Sequence, residues 1–117
     1  MRKVMLLSLL AGLAALVPGP LARPGLAQKA EFTAQFLQDP KTIEAGRAIW
    51  KARCQFCHGK AAYPGKAPKL DPSRYTPAFV YERVTNGFKA MPGWRTEFTD
   101  EELRAVTAYV LSREFSN

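Results

Sequence analysis

Both cysteines of this 117-residue chain and its single histidine fall within five consecutive positions, Cys54-Gln55-Phe56-Cys57-His58. A C-x-x-C-H run is the pattern for covalent haem attachment, and no other feature of the sequence restricts the fold as much. The spacing follows from the chemistry. Two thiols add to the two vinyl groups along one porphyrin edge, and a single turn of backbone between them matches that span. His58, fixed beside the second thioether, is delivered to the iron as an axial ligand. The two bonds to Cys54 and Cys57 also make the macrocycle part of the protein core.

Three other uses of such a pair compete: a redox-active C-x-x-C as in thioredoxin-like proteins, half of a zinc site, and a local disulfide. A zinc site takes about four ligands, and Cys54, Cys57 and His58 are the only strong soft ligands present. A thioredoxin-like motif sits among strands alternating with helices, whereas residues 28–117 contain no convincing strand run. A disulfide is chemically permitted in an exported chain.

Export is what the N-terminus predicts. Arg2 and Lys3 precede the apolar-biased run Val4 to Val17, Pro18, Gly19 and Pro20 break any helix, and Gly25 and Ala27 supply small residues for cleavage. This is the pattern of a signal peptide, read as residues 1–27. The run is shorter than the roughly 20 residues that span a bilayer, although an uncleaved anchor is the competing reading. The 90 residues that follow carry 14 basic and 10 acidic side chains, because Arg2, Lys3 and Arg23 leave with the peptide; the net charge is +4. Such a balance, lowered further by two haem propionates, is too mild for nucleic-acid binding, and no basic tract interleaved with aromatics supports it. A chain of this size holds one domain and buries a marginal apolar core, so a staple is expected.

The second iron ligand emerges by elimination. Met1 and Met5 belong to the signal peptide, which leaves Met91 in Lys89-Ala90-Met91-Pro92-Gly93-Trp94, where Pro92 and Gly93 predict an extended loop and forbid a helix. The competing readings are Met91 as adaptable packing and Lys89 as the ligand.

Around these groups the periodicity predicts helices. Gly46 and Trp50 stand four apart on one helical face ahead of the motif. Thr76-Pro77 starts a helix that Asn86-Gly87 stops, with Val80 and Val84 four apart. Thr99 and Glu102 have capping-box spacing, and Leu103, Val106, Tyr109 and Val110 form the apolar stripe of a C-terminal helix.

From Asp39 to the C-terminus, this order of features resembles a class I c-type cytochrome of the short bacterial kind. The resemblance implies an all-α fold of three to four helices wrapped around one covalently bound haem c, residues 39–117 forming the domain and 28–38 an N-terminal extension. It implies that the C-terminal helix crosses the first closely at Gly46. It implies that the Pro68 carbonyl, in Ala67-Pro68-Lys69-Leu70, accepts a hydrogen bond from the proximal histidine, and that Leu70 packs on the haem. Ala67 stands where the family commonly has glycine. Val80 and Val84 are expected on the distal side or simply in the core. Trp94, Arg74, Tyr75 and Arg95 are candidates for the propionates, with surface solvation the competing reading for the arginines.

His58 and Met91 as axial ligands leave no open iron site for a substrate, which argues for one-electron transfer rather than catalysis. The expected role is a periplasmic monohaem carrier, monomeric and free of the membrane once the signal is cleaved, passing electrons from a dehydrogenase or upstream cytochrome to an oxidase or other terminal acceptor. Lys51, Arg53, Lys60, Lys66, Lys69, Lys89 and Arg95 either ring the haem edge and steer an acidic redox partner or form a solvated set. Two further functions stay open: a subunit held tightly by one dehydrogenase complex, with Phe36, Phe79 or Phe115 in its buried patch, and a haem with a labile Met91 bond that binds small gases. Phe32, Phe36 and Leu37 give the extension an amphipathic stretch that packs on the domain or docks a partner.

Overall fold

The computed structural model describes residues 32–115. The expected signal peptide, residues 1–27, and residues 28–31 of the extension lie outside the described residues. Regular structure among those described is helical, with one isolated antiparallel bridge between Phe88 and Met91.

Helix α1, Ala34–Gln38, is short and starts at Thr33, whose hydroxyl accepts the Phe36 amide. It packs on the first and last long helices. The Arg104 guanidinium lies over the rings of Phe36 (4.2 Å) and Phe32 (5.4 Å), and Phe32 meets Tyr81 edge-on. The amphipathic stretch therefore lies against the body of the protein.

Helix α2, Pro40–Ile49, is capped by Asp39, whose carboxylate accepts both the amide and the hydroxyl of Thr42 at 2.8 Å, and Pro40 fills the first position, where its missing N–H costs nothing. The chain then widens into one π-helical turn, Trp50–Cys54, before the single turn α3, Gln55–His58, which Gly59 closes at φ 84°. Such π-bulges cluster at functional sites because the extra residue re-aims the side chains that follow. Trp50 and Cys54 are buried here, and Cys57 is exposed.

After a loop containing the 3₁₀ turn Pro72–Arg74, helix α4 runs Pro77–Asn86, capped by the Thr76 hydroxyl and stopped by Gly87 at φ 77°. Helix α5, Asp100–Leu111, opens on the predicted capping box between Thr99 and Glu102. It crosses α2 at Gly46, where a Cβ would lie 2.1 Å from the Ala105 carbonyl oxygen and 2.8 Å from the Tyr109 Cβ. Only glycine permits that approach, as the resemblance implied.

Helix α5 is buried beyond its predicted stripe, because Ala105, Thr107 and Ala108 are covered as well. α2, α4 and α1 all pack on it, so it serves as the central element. The Thr107 hydroxyl is satisfied by the Leu103 carbonyl one turn back, at 2.9 Å. Phe115, one of the candidates for a docking patch, is instead fully buried, its ring 4.6 Å from Trp50 and 5.4 Å from Tyr109. A segment after the last helix thus folds back and plugs the core behind the attachment motif.

Candidate haem site

A cavity of about 890 Å³ opens between the attachment segment, the loop after it, α4 and the turn that carries Met91. All seven residues expected to meet the cofactor lie on its wall: Cys54, Cys57, His58, Pro68, Leu70, Met91 and Trp94. Val80 and Val84 of α4 line it too, so the pair faces the cavity and not only the core.

The attachment segment is held from within. The Trp50 indole donates to the Gly59 carbonyl at 3.0 Å, which pins the end of α3 to the start of the π turn. The His58 ring lies tilted against Trp50 at 5.5 Å. Burial lowers the proton affinity of His58, which favours the neutral ring, the form that keeps a lone pair for a metal. Burial first, and then the neighbouring Cys57 thiol, push the Cys54 thiol up to about 12. The two sulfurs are not bridged to each other. No group of three or more His, Cys, Asp and Glu side chains is placed to hold a metal ion among the described residues, which leaves the zinc reading without a ligand set.

The Pro68 carbonyl does not make the bond expected of it. His58 Nδ1 is buried with no hydrogen-bond partner. The loop is tied to the helix through its backbone, with the Ala67 amide donating to the Cys57 carbonyl at 2.8 Å, and Pro68 lines the cavity.

Met91 does not sit in an extended loop. Phe88 and Met91 exchange two backbone hydrogen bonds of 3.0 and 2.9 Å around a tight reversal, with Lys89 at φ 53°. The turn is fastened to α4: the Trp94 amide donates to the Val84 carbonyl (2.9 Å) and the Arg95 amide to that of Thr85 (3.3 Å). The last carbonyls of a helix lack intrahelical partners, and α4 satisfies two of its own with the segment that positions Met91. At Gly93 a Cβ would stand 2.7 Å from the Asn86 carbonyl carbon, so the fastening needs a glycine there.

Of the candidates for the propionates, Tyr75 lines the cavity along with Trp94; Arg74 and Arg95 do not, and the Arg95 side chain donates to Asn86. Arg53, Lys66, Lys69 and Lys89 line the cavity among the predicted cluster of cations, whereas Lys51 and Lys60 do not. Arg53 is paired with Glu97. The sequence reading missed Arg83 and the exposed rings of Phe56 and Phe88 on the wall; Phe79, one of the candidates for a docking patch, is exposed beside them. Arg83 was detectable from its place one turn after Val80 on the face of α4 that carries Val84.

The residues fit a covalently held haem on their own chemistry. Two unbridged thiols, a neutral imidazole and a thioether from distant segments converge on one largely hydrophobic cavity of macrocycle size.

Comparison with known proteins agrees. Residues 41–110 match the family described as cytochrome C oxidase, cbb3-type, subunit III. The chain is 32% identical to cytochrome c6 of Synechocystis over 75 residues, covering 58% of this chain and 62% of that one, so it spans less than two thirds of that relative's length. It is 34% identical to cytochrome c6 of Bumilleriopsis filiformis over 79 residues, covering 61% of this chain and 91% of that one. Among solved structures, cytochrome CL of Methylophaga aminisulfidivorans shares the fold at TM-score 0.57 and 23% identity, over 73% of this chain and 69% of that one. Dihydro-heme d1 dehydrogenase NirN matches at TM-score 0.54 and 32% identity over 58% of this chain, but only 16% of its own. The chain therefore belongs to this family and is a class I c-type cytochrome of all-α fold with haem c as its covalent cofactor.

Proposed function

We propose that this protein is an exported, periplasmic monohaem cytochrome that carries single electrons between redox proteins, taking them from a dehydrogenase or upstream cytochrome and giving them to a terminal acceptor. The observation that carries the reading is the convergence of Cys54, Cys57, His58 and Met91 on one cavity from the attachment helix and the turn after α4. Bound haem supplies an iron that gains and loses one electron.

The chain's own residues do the rest. Cys54 and Cys57 fix the macrocycle to the π turn and α3. His58, backed by Trp50, and Met91, held by the turn fastened to α4, would be the residues that hold the iron, and with both engaged no site would be left for a substrate. A neutral thioether in place of a second nitrogen ligand favours the ferrous state and raises the reduction potential. Val80, Val84, Leu70 and Trp94 keep water off the macrocycle. Because the ligands are the same in both oxidation states, little reorganisation accompanies transfer. Export rests on the pattern of residues 1–27, and no helix among the described residues is long and apolar enough to cross a membrane.

The test is production with its leader in a host able to mature c-type cytochromes. The expected product is periplasmic, shorter by about 27 residues by mass, keeps its haem after denaturation and organic extraction, and titrates reversibly with one electron. A colourless product, or haem lost on extraction, overturns the reading.

A further inference from the structure

Arg83 stands where the haem reading has no assigned role for it. It lies on the cavity wall with Val80 and Val84. Its guanidinium carbon is 4.0 Å from the centroid of the Phe88 ring and 5.0 Å from that of Phe79, so it is clasped between the helix and the Met91 turn. Such stacking orders a long side chain in advance, and the planar fork of an arginine matches a carboxylate with two parallel hydrogen bonds. Its one carboxylate contact among the described residues is Glu82, the adjacent residue, at a loose 3.5 Å.

Haem brings two propionates, and anions beside a hydrophobic wall need a cationic partner. The cavity offers two arginines. Arg53 is already paired with Glu97 across the segments, and its side chain is the more exposed of the two, 48% against 32%. Lys66 lies over the exposed Phe56 ring and Lys89 over Phe88, and Lys69 is exposed. From this arrangement we propose that Arg83 is the residue that receives a haem propionate, and that its fixed positive charge holds the reduction potential up. The inference rests on the haem reading and adds to it a positioning residue.

Two consequences follow. A fixed cation near the iron disfavours the additional charge of the ferric state. The same cation keeps its propionate ionised, so the potential does not step with pH across neutrality. The other charged or titratable groups that face the site are Arg53, Lys66, Lys69, Lys89 and Tyr75 on the cavity wall and Glu82 beside Arg83; Cys54, Cys57 and His58, also on the wall, are the groups that would hold the haem.

The experiment measures the midpoint potential of the mature holoprotein against pH for the parent, Arg83→Gln and Arg83→Lys. The parent is expected to be flat through neutrality. Arg83→Gln is expected to have a lower potential at pH 7 and a new fall with rising pH, while its ferric iron–sulfur absorption shows Met91 still bound; Arg83→Lys is expected in between. A Gln variant whose curve superimposes on the parent overturns the proposal, as does one that alters only the rate with a partner protein. Should the Gln variant fail to mature, the parent decides: a pH-dependent step through neutrality overturns the assignment, and a flat curve with a lowered Lys curve supports it. A colourless parent sinks the haem reading itself, whereas a coloured parent with an indifferent Gln variant sinks only the role of Arg83.

Discussion

At the residue scale, the division of labour between His58 and Met91 decides what this protein can be. His58 is backed by the Trp50 ring and belongs to a helix whose end is pinned by the indole, so it has little freedom. Met91 depends on a turn that two glycines allow and that two amides fasten to α4. Replacing Met91 with Ala removes the thioether and leaves the fastening intact. The ferric protein is then expected to lose its iron–sulfur absorption, its potential to fall, and the ferrous protein to bind carbon monoxide. Retained iron–sulfur absorption in that variant would mean that sulfur is not the distal ligand. Carbon monoxide binding by the unaltered ferrous protein would instead favour a labile bond and a gas-binding role.

At the scale of elements, the crossing of α2 and α5 is the least forgiving contact in the fold. A methyl group at position 46 meets a backbone carbonyl at 2.1 Å, and a backbone cannot rotate aside as a side chain can. Gly46→Ala is therefore expected to cost about 1–3 kcal/mol, read as a lower denaturant midpoint of the holoprotein, with visible absorption changing in the same transition. The start of α2 responds to acid. Hydrogen bonds from the Thr42 hydroxyl and then its amide hold the Asp39 carboxyl below its ordinary 3.8. Its contribution is fully present above that value and is lost as pH falls through the lower, folded one. Asp39→Asn keeps an acceptor that does not titrate, so the thermal midpoint of the variant should fall less steeply in that acid range than the parent's. Caps of this kind were legible in the sequence because they are local: Thr76 and Thr99 sit directly before the helices they start, and Gly87 directly after the one it stops. The reversal that carries Met91 was not, because it is set by the free carbonyls of Val84 and Thr85, which no pattern in residues 89–94 encodes. The π turn at Trp50–Cys54 escaped because a single widened turn of five residues is too short to set up a period distinguishable from that of an ordinary helix. Phe115 lies beyond any periodic segment, and its burial depends on a Trp50 ring some 65 positions earlier.

For the whole molecule the open matter is how charge is distributed over the face that partners meet. The sequence supplied seven cations near the site, and the fold separates them. Lys66, Lys69 and Lys89 line the cavity with exposed Phe56 and Phe88 beside them, while Lys51 and Lys60 fall outside it and Arg53 is neutralised by Glu97. Among the described residues no carboxylate lines the cavity. Under the proposed carrier function, an acidic partner would be drawn toward the cavity mouth by a few lysines and not by the net charge as such. Steering of this kind acts on the rate of encounter and fades as ions screen it, within about 10 Å at 0.1 M salt and about 3 Å at 1 M. Second-order electron-transfer rates with an acidic partner are accordingly expected to fall as ionic strength rises. Lys69→Glu should slow the reaction several-fold at low salt, Lys60→Glu much less, and at about 1 M salt the variants and the parent should converge. Equal effects of Lys69→Glu and Lys60→Glu at low salt would show that only total charge matters, and rates indifferent to salt would remove steering from the account while leaving the carrier function in place.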